Sequence, residues 1–240
     1  MRMMYIGALA AAIGVPASAH AQAAAEFNQT CYGATGNTER TIAACTAVIA
    51  GGSVDAKDLG AAFKIRGNAY DDSGQYDRAI EDYDHALAIN PDDADALNNR
   101  GTSYRANGHY DLAVKDYDQV LKLTPYSAKA LNNRCFAKAL MGQLDQALAD
   151  CNESLRLRPA NANTLASRGF VYLKLKHPEA AIADYNAELR ITPGDPYTLF
   201  GRGVAKRMKG DLPGGEADIK AAKGIMPEVT DEMAKLGVQF

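Results

Sequence analysis

Gly67, Gly101, Gly169 and Gly203 recur in phase every 34 residues, with Cys135 filling the remaining place. Tyr70, Tyr104 and Tyr172 follow three positions later, and Ala79, Ala113, Ala147 and Ala181 hold a second phase. Tyr83, Tyr117 and Tyr185 hold a third, which Cys151 shares, and Pro91, Pro125, Pro159, Pro193 and Pro227 close the units. Five units without an insertion or deletion constrain the fold more than any composition does. Each is one supersecondary element too small to bury its apolar face alone, so the units must stack.

Within a unit the spacing predicts helix, turn, helix. Phe63, Gly67 and Tyr70 lie at helical spacing on a first helix, Gly74 and its equivalents break the chain, and Ile80, Tyr83 and Leu87 mark a second helix that proline stops. Small residues at the glycine and alanine phases let the two helices approach closely.

Phe63, Arg66-Gly67, Tyr70, Ala79, Tyr83 and Pro91 together resemble the tetratricopeptide repeat. The resemblance runs from 60 to 229, and it departs from the family's usual leucine at Arg66, Arg100, Arg134, Arg168 and Arg202. It implies an all-α fold, a right-handed superhelical solenoid of antiparallel helix hairpins. The expected boundaries are a leading degenerate repeat or cap at 22–59, repeats at 60–93, 94–127, 128–161, 162–195 and 196–229, and a capping tail at 230–240. Thr41 to Cys45 align with Ala79 to Tyr83 in the leading repeat, and Val229, Met233 and Leu236 give the tail about two helical turns.

Residues 1–21 differ in composition from the rest. Arg2 precedes an uncharged apolar run from Met3 to Val15, and small residues follow at Ala17-Ser18-Ala19 and Ala19-His20-Ala21, either of which fits a cleavage site. The run is shorter than the roughly 20 residues that span a bilayer. A removable signal peptide is therefore expected, with a periplasmic or secreted mature chain and no integral membrane segment. The whole chain resembles small secreted repeat proteins of Gram-negative bacteria. A net charge of −3 gives no field that would draw nucleic acid or an anionic membrane surface.

That compartment gives meaning to the cysteines. Cys135 and Cys151 flank the turn at Gly142 at nearly equal distances and replace the glycine and tyrosine of the other repeats, so they should meet across the hairpin. Cys45 aligns with Cys151, and Cys31 precedes it by a similar interval. Four cysteines allow three connectivities, and only Cys31–Cys45 with Cys135–Cys151 keeps each bond inside one hairpin. In an oxidising compartment these read as structural disulfides; buried free thiols or a reactive pair are the alternatives. No Cys-x-x-Cys is present, and the two pairs are too far apart in the stack for a shared zinc site.

No catalytic residue, metal site or cofactor is expected. His85, His109 and His177 do not converge, Gly201-Arg202-Gly203 falls on a repeat helix, and G-x-S-x-G, H-E-x-x-H and phosphate-loop patterns do not occur. The family resemblance implies instead a concave surface lined by the first helices. Its leading half is polar, with Lys64 and Asn68, and its trailing half is apolar, with Phe136, Leu140, Phe170, Leu173, Tyr197 and Phe200. Such a strip is either a binding surface or core packed under a neighbouring helix or the tail. Chaperone-binding members of the family hold a terminal carboxylate with residues whose places Lys64, Asn68, Asn99 and Lys129 match, although Asn133 stands where the last basic residue belongs. The function implied is a non-catalytic scaffold of the bacterial cell envelope holding an extended or helical protein segment. A subunit that joins copies through its stack ends, and an enzyme with an unrecognised site, are the alternatives.

Overall fold

In the computed structural model, residues 31–32, 36–52 and 54–238 are described, and among them there are twelve α-helices and no strand. The expected signal peptide and residues 22–30 of the expected leading repeat lie outside these residues. The chain divides after Asn90 into two compact units. The first holds α1 (Thr38–Gly51), α2 (Ala56–Asp72) and α3 (Tyr76–Ile89). The second holds α4 (Ala94–Ala106), α5 (Tyr110–Leu123), α6 (Ala128–Leu140), α7 (Leu144–Leu157), α8 (Ala162–Lys174), α9 (Pro178–Ile191), α10 (Pro196–Met208), α11 (Leu212–Ile225) and α12 (Val229–Lys235). Consecutive helices pack in pairs in each unit, and in the second the first helices also touch in the order α4, α6, α8, α10, α12.

The helix ends explain the period. Asp55, Asp93, Ser127, Asn161 and Asp195 each accept a backbone N–H of the following first turn, capping α2, α4, α6, α8 and α10. The Asp55 cap starts α2 at Ala56, before the expected repeat boundary at 60. At the other end of these helices a backbone bond returns from the second helix's entry, as from Gln75 N to Tyr70 O and from Gln143 N to Lys138 O. This closure requires a left-handed residue, which Gly74, Gly108, Gly142 and Gly210 supply; Lys176, with φ 60°, adopts the same conformation in the fourth repeat.

Packing inside each hairpin turns on one contact. A Cβ on Gly67, Gly101 or Gly169 would stand 2.9, 2.7 or 2.6 Å from the ring of Tyr83, Tyr117 or Tyr185. Glycine is therefore required wherever the tyrosine sixteen residues later is present. The third repeat replaces both members: Cys135 and Cys151, each fully buried, are bonded, with Cα atoms 5.5 Å apart. The Cys31–Cys45 bond, with Cα atoms 4.5 Å apart, joins the start of the described chain to α1, and Ala62 of α2 packs against it. All four cysteines are thus paired as the hairpin argument expects.

The recurring arginine has a partner in every repeat. Arg66, Arg100, Arg134, Arg168 and Arg202 each donate two parallel bonds, from Nε and Nη2, to the carboxylate of Asp82, Asp116, Asp150, Asp184 or Asp218 at 2.6–2.9 Å. The fork–fork geometry is the strong form of the pair. A third donor, Nη1, reaches back to the preceding second helix, at Thr46 from Arg66, Asp118 from Arg134, Asn152 from Arg168 and Asn186 from Arg202. One side chain thus fixes both the hairpin and its stacking. Burial pushes the Asp218 carboxyl up, but bonds from Arg202 and Lys206 outweigh it and hold the group below its ordinary value.

Candidate functional site

The first helices of the second unit turn one face inward, and a cavity of about 680 Å³ opens along it, a size within the range of ligand pockets. Arg105 of α4, Asn132 and Phe136 of α6, Phe170 of α8, Tyr197 of α10 and Glu232 of α12 represent its walls. Helical spacing places these side chains: residues four apart on one helix, such as Asn132, Phe136 and Leu140, share a face.

Phe136 and Phe170, equivalent in adjacent repeats, lie with ring centroids 5.3 Å apart at 53°. The Arg105 guanidinium sits 5.3 Å from the Phe136 centroid, and the Lys174 ammonium 5.3 Å from that of Phe170. Polar groups ring this apolar centre. Asn133 Nδ2 donates to Asn98 Oδ1 at 3.1 Å. Two buried atoms of lining residues, Asn132 Oδ1 and Thr198 Oγ1, make no hydrogen bond of good geometry, although the Thr198 hydroxyl acts on the Glu188 carboxyl. Buried polar atoms normally form such a bond, so each is an available contact for a bound molecule.

The expected apolar strip divides. Phe136 and Leu140 are partly buried at the cavity wall and Tyr197 is 40% exposed, whereas Leu173 and Phe200 are core. Phe170 does both, lining the cavity with a ring only 4% exposed. Leu173 and Phe200 share one buried cluster with Val229, Met233 and Val238 of the C-terminal segment, and Lys174 Nζ donates to Leu236 O at 3.3 Å. The tail therefore folds against α10 and reaches α8, where it forms part of the cavity wall through Glu232, Met233, Lys235 and Leu236.

The carboxylate-clamp residues are not assembled at this cavity. Lys64 and Asn68 belong to the first unit, where Asn68 Oδ1 accepts the Tyr83 hydroxyl at 2.8 Å. Asn99 and Lys129 belong to the second, on α4 and α6, but neither lines the cavity, and Lys129 is exposed. Asn132, Asn163, Ser167 and Thr198 were missed by sequence reasoning, although Asn132 lies one helical turn before Phe136 and Asn163 two turns before Phe170, and only their polar character kept these two out of the apolar strip. Among the described residues no group of three or more His, Cys, Asp or Glu could hold a metal ion, and no helix is long and apolar enough to cross a membrane.

A cavity on one face of stacked helix hairpins defines a class: repeat scaffolds for interaction between proteins. Models of the TPR repeat and the tetratricopeptide repeat match residues 67–108, 94–127 and 141–196. The chain is a tetratricopeptide repeat protein. Similar solved structures include a tetratricopeptide repeat protein from Parabacteroides merdae, with 17% identity, TM-score 0.72, and coverage of 89% of this chain and 88% of that one. A thermophilic TPR protein in Thermus thermophilus has 22% identity, TM-score 0.63, and coverage of 74% and 97%. YrrB, described as a TPR protein with an unusual peptide-binding site, has 19% identity, TM-score 0.55, and coverage of 81% and 96%. These likenesses are of fold. No curated protein matches the chain.

Proposed function

We propose that the chain is a non-catalytic scaffold of the bacterial envelope or exterior that holds a segment of another protein in the cavity of its second unit. The observation that carries this reading is the cavity's composition: an aromatic pair at the centre, with buried polar atoms that lack a well-formed hydrogen bond around it. An apolar side chain of the ligand would rest on Phe136 and Leu140. The carbonyl oxygen of Asn132 would accept a backbone N–H beside it, as extended segments require. The peptide-binding site named for YrrB supports a peptide as the ligand class. Export is supported by the layout of residues 1–21 and by two disulfides, which persist in oxidising compartments.

A library of terminally blocked octapeptides, each carrying one phenylalanine, tests the reading against the chain and its Phe136→Ala variant. Binding that weakens about 10- to 30-fold in the variant, the scale of a truncated aromatic anchor, with an unchanged melting temperature, is expected. Peptides that bind the variant as well as the parent would remove the cavity as the site. Fractionation of the native cells with N-terminal sequencing of the mature chain tests export; a cytoplasmic, unprocessed chain would overturn it.

A further inference from the structure

The two ends of the cavity differ in charge. Arg105 stands on α4, at one end of the row α4, α6, α8, α10, and the opposite end is acidic. There three carboxylates, Asp195, Glu228 and Glu232, act on Tyr197 against one ammonium, Lys235. Burial first, and then these carboxylates, push the Tyr197 phenol above its ordinary pKa. Lys235 is 70% exposed and bonds to Glu232 at 2.7 Å. Asp195 has no cation: its Oδ1 accepts the Thr198 amide at 2.7 Å, and its second oxygen accepts no bond among the described residues.

A second, independent observation marks the same place. Thr198 is 1% exposed and lines the cavity; its hydroxyl acts on the Glu188 carboxyl, lowering that group's pKa, but makes no hydrogen bond of good geometry. Beside it lies Glu188, 4% exposed, with one carboxylate oxygen likewise lacking such a bond and no ion pair among the described residues. A buried hydroxyl without a well-formed hydrogen bond costs stability, and burial raises the Glu188 pKa, favouring its neutral form. The hydroxyl's cost falls away if a donor group enters from the cavity.

We propose that this end of the cavity is a subsite for a primary ammonium group of the ligand, supplied by a lysine side chain or by an amino terminus. The assignment rests on the cavity being the binding site. An ammonium is a compact point charge with three donors. Directed inward from the cavity it meets the free oxygen of Asp195, the Thr198 hydroxyl and, at the rim, the Glu232 carboxylate, which then exchanges Lys235 for the ligand. The aromatic pair supplies the neighbouring apolar contact. Packed helices lie about 8–10 Å apart and an extended chain advances about 3.3 Å per residue, so a ligand spans the two contacts with an aromatic residue and an ammonium roughly three residues apart.

Dye-labelled octapeptides with blocked ends, a fixed phenylalanine, and a lysine three residues before or after it are the probes, with fluorescence anisotropy against the full chain as the readout. Companion peptides carry Nε-acetyl-lysine in the same place, or no lysine but a free amino terminus three residues before the phenylalanine. At low salt, acetylation should weaken binding about 10-fold, the scale of one charge-assisted hydrogen bond. The difference should shrink to within about twofold in Asp195→Asn and in Glu232→Gln. Asparagine keeps a side-chain oxygen for the α10 cap, and Glu232 lies on the outer turn of α12, so at least one variant reports on a folded chain. If the free-terminus peptide binds as tightly as the lysine peptides, the chain-end amine is the source; if only the lysine peptides bind tightly, the side chain is. Equal binding of lysine and acetyl-lysine peptides, with Phe136→Ala still weakening both, overturns the ammonium subsite and leaves the cavity reading standing. Phenylalanine peptides that ignore Phe136→Ala overturn both.

Discussion

Replacing Cys151 by tyrosine should stabilise the protein in one background and gain little or nothing in another, and the difference is set by a single methyl group. The other hairpins show why. The Tyr185 ring occupies the space a Cβ at Gly169 would need, at 2.6 Å, and Tyr117 and Tyr83 do the same to Gly101 and Gly67. In the third repeat, Cys135→Gly opens that space, while Cys135→Ala leaves the Cβ in place, and both remove the disulfide, so its loss cancels in the comparison. Adding Cys151→Tyr to Cys135→Gly buries a ring worth about 2 kcal/mol. The gain is about 4–8 °C in melting temperature for a chain of this size. Adding it to Cys135→Ala forces an overlap that costs about 1–3 kcal/mol, which removes half or more of that gain. Melting followed by circular dichroism compares the four variants directly, and midpoints serve better than extrapolated free energies because repeat arrays can unfold in parts. If the tyrosine shifts the midpoint by the same amount in both backgrounds, the glycine–tyrosine contact does not govern this register.

Asp150→Ala leaves Arg134 and Lys138 without their shared carboxylate and should cost on the order of 3 kcal/mol, as removal of one partner from a buried ion pair does; a melting midpoint within 2 °C of the parent, where about 6–12 °C is expected for that loss, would mean the fork is dispensable. Lys176→Gly relieves a left-handed residue at φ 60° and should stabilise by about 0.5 kcal/mol, the strain outweighing glycine's extra freedom in the unfolded chain; a lower midpoint would contradict it. Burial, with the Asp195 charge adding to it, raises the Glu188 pKa above 4.5. The folded state therefore keeps this proton at a pH where the unfolded chain has released it, and stability falls as pH rises from the unfolded pKa through the folded one. Glu188→Gln should remove that part of the slope and stabilise the chain at pH 7, as urea unfolding at pH 4, 5.5 and 7 would reveal; a variant with the parent's slope and a lower midpoint at pH 7 would show the charged carboxylate to be favourable.

Much of the local architecture was legible in one sequence because it depends on residues close together along the chain. The 34-residue period predicted helix pairs, since glycine, tyrosine, alanine and proline act on a helix or turn within a few positions. The Cys135–Cys151 pairing followed from hairpin symmetry about Gly142, and Cys31–Cys45 from the alignment of Cys45 with Cys151 and a similar interval, which spacing alone supplies. The arginine–aspartate forks were written in the same period: Asp82, Asp116, Asp150, Asp184 and Asp218 each follow an arginine by sixteen residues. Their meaning emerged only when the antiparallel register put guanidinium and carboxylate 2.6–2.9 Å apart. The tertiary structure alone decided which aromatic residues are open. Phe136 and Phe170 hold equivalent places in their repeats, yet one is a partly buried wall and the other is nearly sealed, and Phe200 on the next first helix is fully buried. A repeat pattern treats its copies as equal, whereas a stack ends. At that end the segment from Val229 to Val238 folds back over α10 and ties to Lys174, and this contact, across 62 residues of sequence, turns the last part of an expected groove into core.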